Sequence, residues 1–214
     1  MIIDVRTVGP FQENSYLVVD DTTGRAVLID PGDEGALLVE MVRNSGATLE
    51  AIWLTHAHID HIGGIAEVRR HFDVPVHLHP LDLPYYTTLS ARAAQMYGVS
   101  FEQPDGPDRE LADGDVLSVG SLRFTVMHVP GHAPGLVSFN GHGVALSGDL
   151  LFAGSIGRTD LPLANPFDMD VSLDRIGALP HATIVYPGHG PSTTIGEEKR
   201  SNPFLAGRAR ALKR

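Results

Sequence analysis

Thr55-His56-Ala57-His58-Ile59-Asp60-His61 packs three imidazoles and a carboxylate into six positions, directly after the apolar run Ala51-Ile52-Trp53-Leu54. The run reads as a buried strand over 51–54, and the polar residues after it as a loop at its C-terminal end. Such a loop can aim successive side chains at one point, and histidine and aspartate supply nitrogen and oxygen donors suited to zinc, iron or manganese. Metal binding is therefore the first expectation.

Upstream of this loop, strands are expected at 2–8, 15–19 and 26–29, with Asp20-Asp21-Thr22-Thr23-Gly24 as a hairpin connection. Over 34–44 the apolar positions Leu37, Leu38, Met41 and Val42 follow a helical period, and Gly46 lies just past the end. Downstream, Gly63-Gly64 allows tight backbone, 65–72 reads as a helix, and 74–78 as a strand. The segment 81–97 is expected to be helical, ended by Pro104-Asp105-Gly106-Pro107, and reads as an insertion near the site. Strands at 116–119, 122–129, 136–139 and 144–146, a turn at Asn140-Gly141-His142-Gly143, a helix over 168–178 and a strand at 183–186 complete a second half that repeats the first in outline. The expected class is α/β, with two mixed sheets packed face to face and helices outside.

Composition narrows the chemistry. At 214 residues, with 43% apolar and 20% charged residues, one well-cored domain spanning 1–214 is expected. There is no cysteine, so disulfides, thiolate nucleophiles and thiolate ligands are excluded, and any metal must be held by histidine and carboxylate. A net charge of -10 argues against nucleic acid as a partner. No apolar run approaches the roughly 18 residues needed to cross a bilayer, and the start lacks a basic region followed by an apolar stretch, so no membrane partner and a cytoplasmic location are expected.

Three more donors stand where strands are expected to end, each just after a glycine: His132 in Val129-Pro130-Gly131-His132, Asp149 in Ser147-Gly148-Asp149, and His189 in Tyr186-Pro187-Gly188-His189. Glycine lets the backbone come close to a crowded centre. With His56, His58, Asp60 and His61 the donors number five imidazoles and two carboxylates, whereas one tetrahedral ion needs only about four ligands. Two divalent ions per chain are therefore expected, with a carboxylate shared between them; zinc is the first expectation, and iron or manganese also fit such donors. Two ions about 3.5 to 4 Å apart can clamp a hydroxide near neutral pH and stabilise an oxyanion.

The motif His56-x-His58-x-Asp60-His61, followed by His132, Asp149 and His189, resembles the complete ligand set of the metallo-β-lactamase superfamily, in order along the whole chain. The resemblance implies an αββα sandwich with the metals at one edge of the two sheets. One metal would take His56, His58 and His132, the other Asp60, His61 and His189, with Asp149 bridging them. Within the superfamily, the segment from Gly148 through Gly157-Arg158 is similar to hydroxyacylglutathione hydrolases, the type II glyoxalases, in their short form. The implied activity is hydrolysis of an S-(2-hydroxyacyl) thiol such as S-lactoylglutathione, a small-molecule acyl thiol, by a metal-bridging hydroxide with Asp60 in the catalytic centre. Arg158 falls where the long enzymes carry a basic residue that contacts glutathione. Two residues later they have tyrosine; here Asp160 would repel a glutathione carboxylate. The long enzymes' helical domain is also missing, and a terminal helix expected over 197–212, with Arg200, Arg208 and Arg210, would partly replace it.

An alternative is a mononuclear iron persulfide dioxygenase, whose family shares this fold and the run Gly157-Arg158-Thr159-Asp160; its two histidines and carboxylate would be His56, His132 and Asp149. A non-catalytic metal-binding module is a third reading, weakened because structural zinc sites close with four ligands. β-Lactamase activity is disfavoured by the absence of a cysteine ligand, and a nuclease by the lack of length for an inserted domain. Asp30, at the end of the third expected strand, is placed either as a carboxylate receiving the outer N–H of a metal-bound histidine or as a turn cap. His71, His77, His79, His128, His142 and His181 are set outside the site, and Tyr85, Tyr86, Met96 and Tyr97, which could line a substrate entrance, are read as core and left out of it.

Overall fold

The computed structural model describes residues 1–211. β1 (Ile2–Val8), β2 (Glu13–Asp20) and β3 (Arg25–Ile29) are antiparallel neighbours. β4 (Thr48–Trp53), β5 (Val76–Leu78) and the short β6 (Arg109–Glu110) extend that sheet in parallel, so six strands lie in chain order. The second sheet contains β7 (Val116–Val119), β8 (Leu122–His128), β9 (Val137–Gly141) and β10 (Val144–Gly148). The hairpin of β11 (Leu151–Phe152) and β12 (Ser155–Ile156) then leaves the sheet before β13 (Ile184–Pro187) and β14 (Thr193–Thr194) complete it in the order 14-13-10-9-8-7. Its one parallel pairing is between β10 and β13. Both sheets are mixed, as expected.

Period-two alternation sends neighbouring side chains into different layers. Leu17 and Val19 of β2 and Ala26 and Leu28 of β3 join the core under the helices, while Tyr16, Val18, Val27 and Ile29 join the core between the sheets. In β4 the pairing register shifts so that Ala26 faces Leu49 but Val27 faces Ala51. That extra residue explains why Leu49 faces the helices and Ala51 the opposite sheet although they are two apart. Trp53 is then buried between the sheets, 5.3 Å from Phe139 and 5.9 Å from Phe124 between ring centroids.

α1 (Gly35–Ser45) and, beyond the four-residue α2 (Ile59–Ile62), α3 (Ile65–His71) cover the first sheet. The segment expected to be helical over 81–97 is so in pieces: a 3-10 turn at Pro80–Asp82, then α4 (Leu83–Tyr86) and α5 (Leu89–Tyr97). α6 (Pro166–Gly177) covers the second sheet and begins two residues earlier than expected. Its cap explains the start: the Asn165 side chain accepts from the N–H groups of Phe167 and Asp168, and Pro166 suits the first turn. The result is four layers, αββα.

The terminal expectation needs correction. α7 (Ile195–Ser201) stops where Asn202 adopts an extended conformation before Pro203, because proline disfavours a helical residue ahead of it. Arg208 and Arg210 therefore lie beyond the helix, and Leu212, Lys213 and Arg214 lie outside the described residues. Among the described residues no helix is long and apolar enough to cross a membrane.

Candidate metal centre

The C-terminal ends of β4, β8, β10 and β13 open at one edge of the two sheets, and each delivers donors. His56 and His58 follow β4, and Asp60 and His61 sit on the single turn of α2. His132 lies in the loop after β8, Asp149 directly after β10, and His189 just beyond β13. Residues 133 positions apart thus meet because strand ends meet.

Two trios form within this edge, His56–His58–His132 and Asp60–His61–His189, with the ligand-capable atoms of each within 4.8 Å of one another. In the first, His58 Nδ1 is 3.2 Å from His56 Nε2 and 2.8 Å from His132 Nε2. In the second, His189 Nε2 is 3.2 Å and His61 Nε2 3.9 Å from Asp60 Oδ2. Asp149 stands between them: Oδ2 is 3.4 Å from His132 Nε2 and 3.5 Å from His189 Nε2, and Oδ1 is 3.5 Å from His61 Nε2. All seven expected donors are brought together.

The outer nitrogens explain why the inner ones face inward. His61 Nδ1 lies 3.0 Å from Asp30 Oδ2, His132 Nδ1 2.8 Å from the carbonyl of Arg158, and His189 Nδ1 3.2 Å from that of Gln12. Nδ1–H donated to these oxygens leaves each Nε2 lone pair turned to the centre. Asp30 also accepts from the N–H and hydroxyl of Thr55, at 2.7 and 2.5 Å. Its carboxylate is therefore a support for His61 and for the start of the loop; although Asp30, His56 and His61 also form a compact trio, both Asp30 oxygens are already engaged by Thr55 and His61. Gly188 is held by space: a Cβ there would run into Asp149 Oδ1 and stand 2.7 Å from His61 Cε1.

One supporting residue has no motif to announce it. Asp82 is fully buried and accepts from the N–H of Ala57 at 2.8 Å and of Gly135 at 2.6 Å, tying the His56–His58 loop to the loop after His132. The only sequence signal is an acid lying between Leu81 and Leu83 in an otherwise apolar turn.

Electrostatics divide the two trios. Burial, with His61 and His58 beside it, pushes His56 well below the ordinary imidazole range, and burial with His132 pushes His58 down to about 3. Both are neutral near pH 7, as nitrogen ligands must be. Burial also lowers His61 and His189, but Asp149 and Asp60 outweigh it, raising His61 well above its usual value and His189 to about 9. Those carboxylates thus create a field that favours positive charge. His61 Nε2 and Asp149 Oδ1 are buried without a hydrogen-bond partner, a costly arrangement that a divalent cation would relieve. The residues present fit metal ions.

A cleft of about 420 Å³ opens onto this edge. His58, Asp60, His132, Asp149 and His189 reach its surface, and Tyr85, Met96 and Tyr97 line it. The assignment of Met96 and Tyr97 to the core is corrected, since both are about half exposed; Tyr85 belongs to the core and also packs edge-on against His58 at 5.2 Å. Tyr86 does belong to the core. Arg158 lines the mouth, but its guanidinium is exposed and paired with Asp160. His79 and His128 stack on each other at 4.2 Å, outside the centre.

Residues 8–189 match the family model for the metallo-beta-lactamase superfamily. The chain belongs to that superfamily. Among curated relatives, it is 37% identical to the hydroxyacylglutathione hydrolase GloC of Haemophilus influenzae, over 96% of this chain and 98% of that one. Among solved structures, it is 38% identical to the BLEG-1 B3 metallo-beta-lactamase, with a TM-score of 0.90 over 96% of this chain and all of the other. TTHA1623 in a di-iron-bound form is 47% identical, with a TM-score of 0.87 over 94% and 100% of the two chains. ETHE1 from Myxococcus xanthus is 31% identical, with a TM-score of 0.79 over 98% and 87%.

Proposed function

We propose that the protein is a metal-dependent hydrolase of acyl thiols, acting on S-(2-hydroxyacyl)glutathione such as S-lactoylglutathione or on a related thioester. The observation that carries this reading is the convergence of two complete donor trios about one shared carboxylate at the floor of an open cleft. His56, His58 and His132 would hold one divalent ion, Asp60, His61 and His189 the other, and Asp149 both. Zinc, iron and manganese all suit such a nitrogen and oxygen set, and the di-iron form of TTHA1623 supports iron beside zinc. When bound, two such ions lower the pKa of water and stabilise developing negative charge on an acyl oxygen.

The chain's own groups do the rest. Burial raises the Asp60 carboxyl, but His61 and His189 outweigh it, so Asp60 stays ionised and can accept a hydrogen bond from the attacking water. Asp30 and the carbonyls of Arg158 and Gln12 hold the imidazoles in place. The apolar wall of Tyr85, Met96 and Phe152 limits water around the thioester. In the reaction the water oxygen bonds to the acyl carbon, the carbon–sulfur bond breaks, and water's protons go to the products, a hydroxy acid and a thiol. Action in the cytoplasm, without nucleic acid or membrane as partner, accompanies this reading.

A second reading, a mononuclear iron persulfide dioxygenase using His56, His132 and Asp149, is favoured by the Gly157-Arg158-Thr159-Asp160 run and fits the likeness to ETHE1. The intact second trio weighs against it. Metal-loaded protein is expected to hydrolyse S-lactoylglutathione about 100-fold or more faster than an Asp60→Ala variant. Hydrolysis no faster than in that variant, with oxygen uptake on glutathione persulfide, would reverse the order of the two; nitrocefin in the same panel tests β-lactam cleavage.

A further inference from the structure

Two guanidinium groups border the cleft, and they are in opposite states. Arg158 donates from Nε and Nη2 to the two oxygens of Asp160, at 2.7 and 2.8 Å, so a substrate carboxylate would have to displace one already seated. Arg92, on α5, makes no ion pair among the described residues. Its Cζ lies 4.1 Å from the centroid of the Tyr85 ring, and its Nη1 is buried with no hydrogen-bond partner. Tyr85 is itself fixed, its hydroxyl donating to the carbonyl of Pro162 and its ring standing edge-on to His58. The unfilled guanidinium therefore sits one aromatic ring away from a candidate metal ligand.

Guanidinium presents five N–H donors in a rigid fork that matches a carboxylate, and stacking on an aromatic face orients that fork. Burial holds Arg92 below its ordinary pKa, a sign that water solvates its charge incompletely. Arg92 lines the cleft, so an arriving carboxylate would supply the countercharge its guanidinium lacks. A lactoyl group has no carboxylate, so in an acyl thiol of this kind the anion must come from the thiol half.

We infer that Arg92 is the specificity-determining residue of the cleft, binding a carboxylate on the thiol half of the substrate while the thioester lies at the histidine–aspartate edge. This rests on the acyl-thiol hydrolase reading. The assignment moves thiol recognition from Arg158 and the chain terminus to the inserted helix α5. It also gives that insertion a chemical role.

The test compares kcat/KM of metal-loaded wild type, Arg92→Met, Arg92→Lys and Arg158→Met on S-lactoylglutathione, whose thiol half carries carboxylates, and on S-lactoyl-N-acetylcysteamine, whose thiol half carries none. The preference for the charged ester is expected to fall about tenfold or more in Arg92→Met, chiefly through KM, with partial recovery in Arg92→Lys and no change in Arg158→Met. An unchanged preference in both Arg92 variants, or a loss confined to Arg158→Met, overturns the assignment. Calorimetric binding of S-methylglutathione to the same metal-loaded proteins separates this from the hydrolase reading. Binding weakened about tenfold by Arg92→Met supports the anchor even if no thioester is cleaved. Equal binding by both, or none by wild type, overturns it.

Discussion

Asp30 Oδ2 holds both the Thr55 hydroxyl and the outer nitrogen of His61, so its loss would free the imidazole on which the second trio depends. Asp30→Ala is expected to lower affinity for the second ion about 10- to 100-fold, measured by competition with a chromophoric chelator, while the first ion is retained. Gly188→Ala addresses the same trio by volume: the added methyl meets Asp149 and His61, and loss of hydrolysis is expected while the far-ultraviolet spectrum is kept. The seven donors were legible because histidine and aspartate at such density have few other uses, and because glycine precedes each strand-end donor after the first loop. Asp82 and Arg92 were not. Asp82 acts through Ala57 and Gly135, distant in sequence, while Arg92 stacks on Tyr85 only seven residues away, and its role shows only once that ring is placed at the cleft.

Among the elements, the strands were read more accurately than the connections. The continuous apolar runs of β2 and β3 show directly in sequence, whereas the division of residues 81–97 depends on Pro84 and on hydrogen bonds from Gln103 to the carbonyl of Tyr86 and from Ser90 to Gln103. α6 owes its start to Asn165, and Asn165→Ala is expected to cost about 1 kcal/mol in chemical denaturation. Trp53 at the end of β4 is wedged between Phe124 and Phe139, so Trp53→Ala should cost about 3 to 5 kcal/mol and loosen the strand that leads into the histidine loop. The His79–His128 stack between β5 and β8 supplies a pH dependence. Burial, then the neighbouring His128, pushes His79 down to about 4. Its folded value lies below the unfolded one, so the unfolded chain binds more protons between these values. Stability from this group is complete above about pH 6.5 and is lost as pH falls towards 4. Denaturation of wild type and His79→Gln across that window should show a steeper acid loss in wild type; parallel curves would remove His79 as the cause.

At the scale of the whole molecule, two sheets open at one edge, and four strand ends from both meet there. The centre is thereby a joint between halves of the chain, so ion binding should also stabilise the fold. An ion held at about 1,000 times its dissociation constant adds about 4 kcal/mol, and chelator-treated protein should melt correspondingly lower and recover on adding metal. The layered class was legible from the strand pattern, and so was an insertion near the site over 81–97, while which of its side chains line the cleft was not, because that is decided by tertiary contacts. The most direct measurement is a titration of metal-free protein with zinc or iron, following S-lactoylglutathione hydrolysis against ions bound per chain. Activity that rises to a break at about two ions per chain is the predicted result. Hydrolysis already complete at one ion, or absent at any loading, would contradict a two-ion hydrolytic centre.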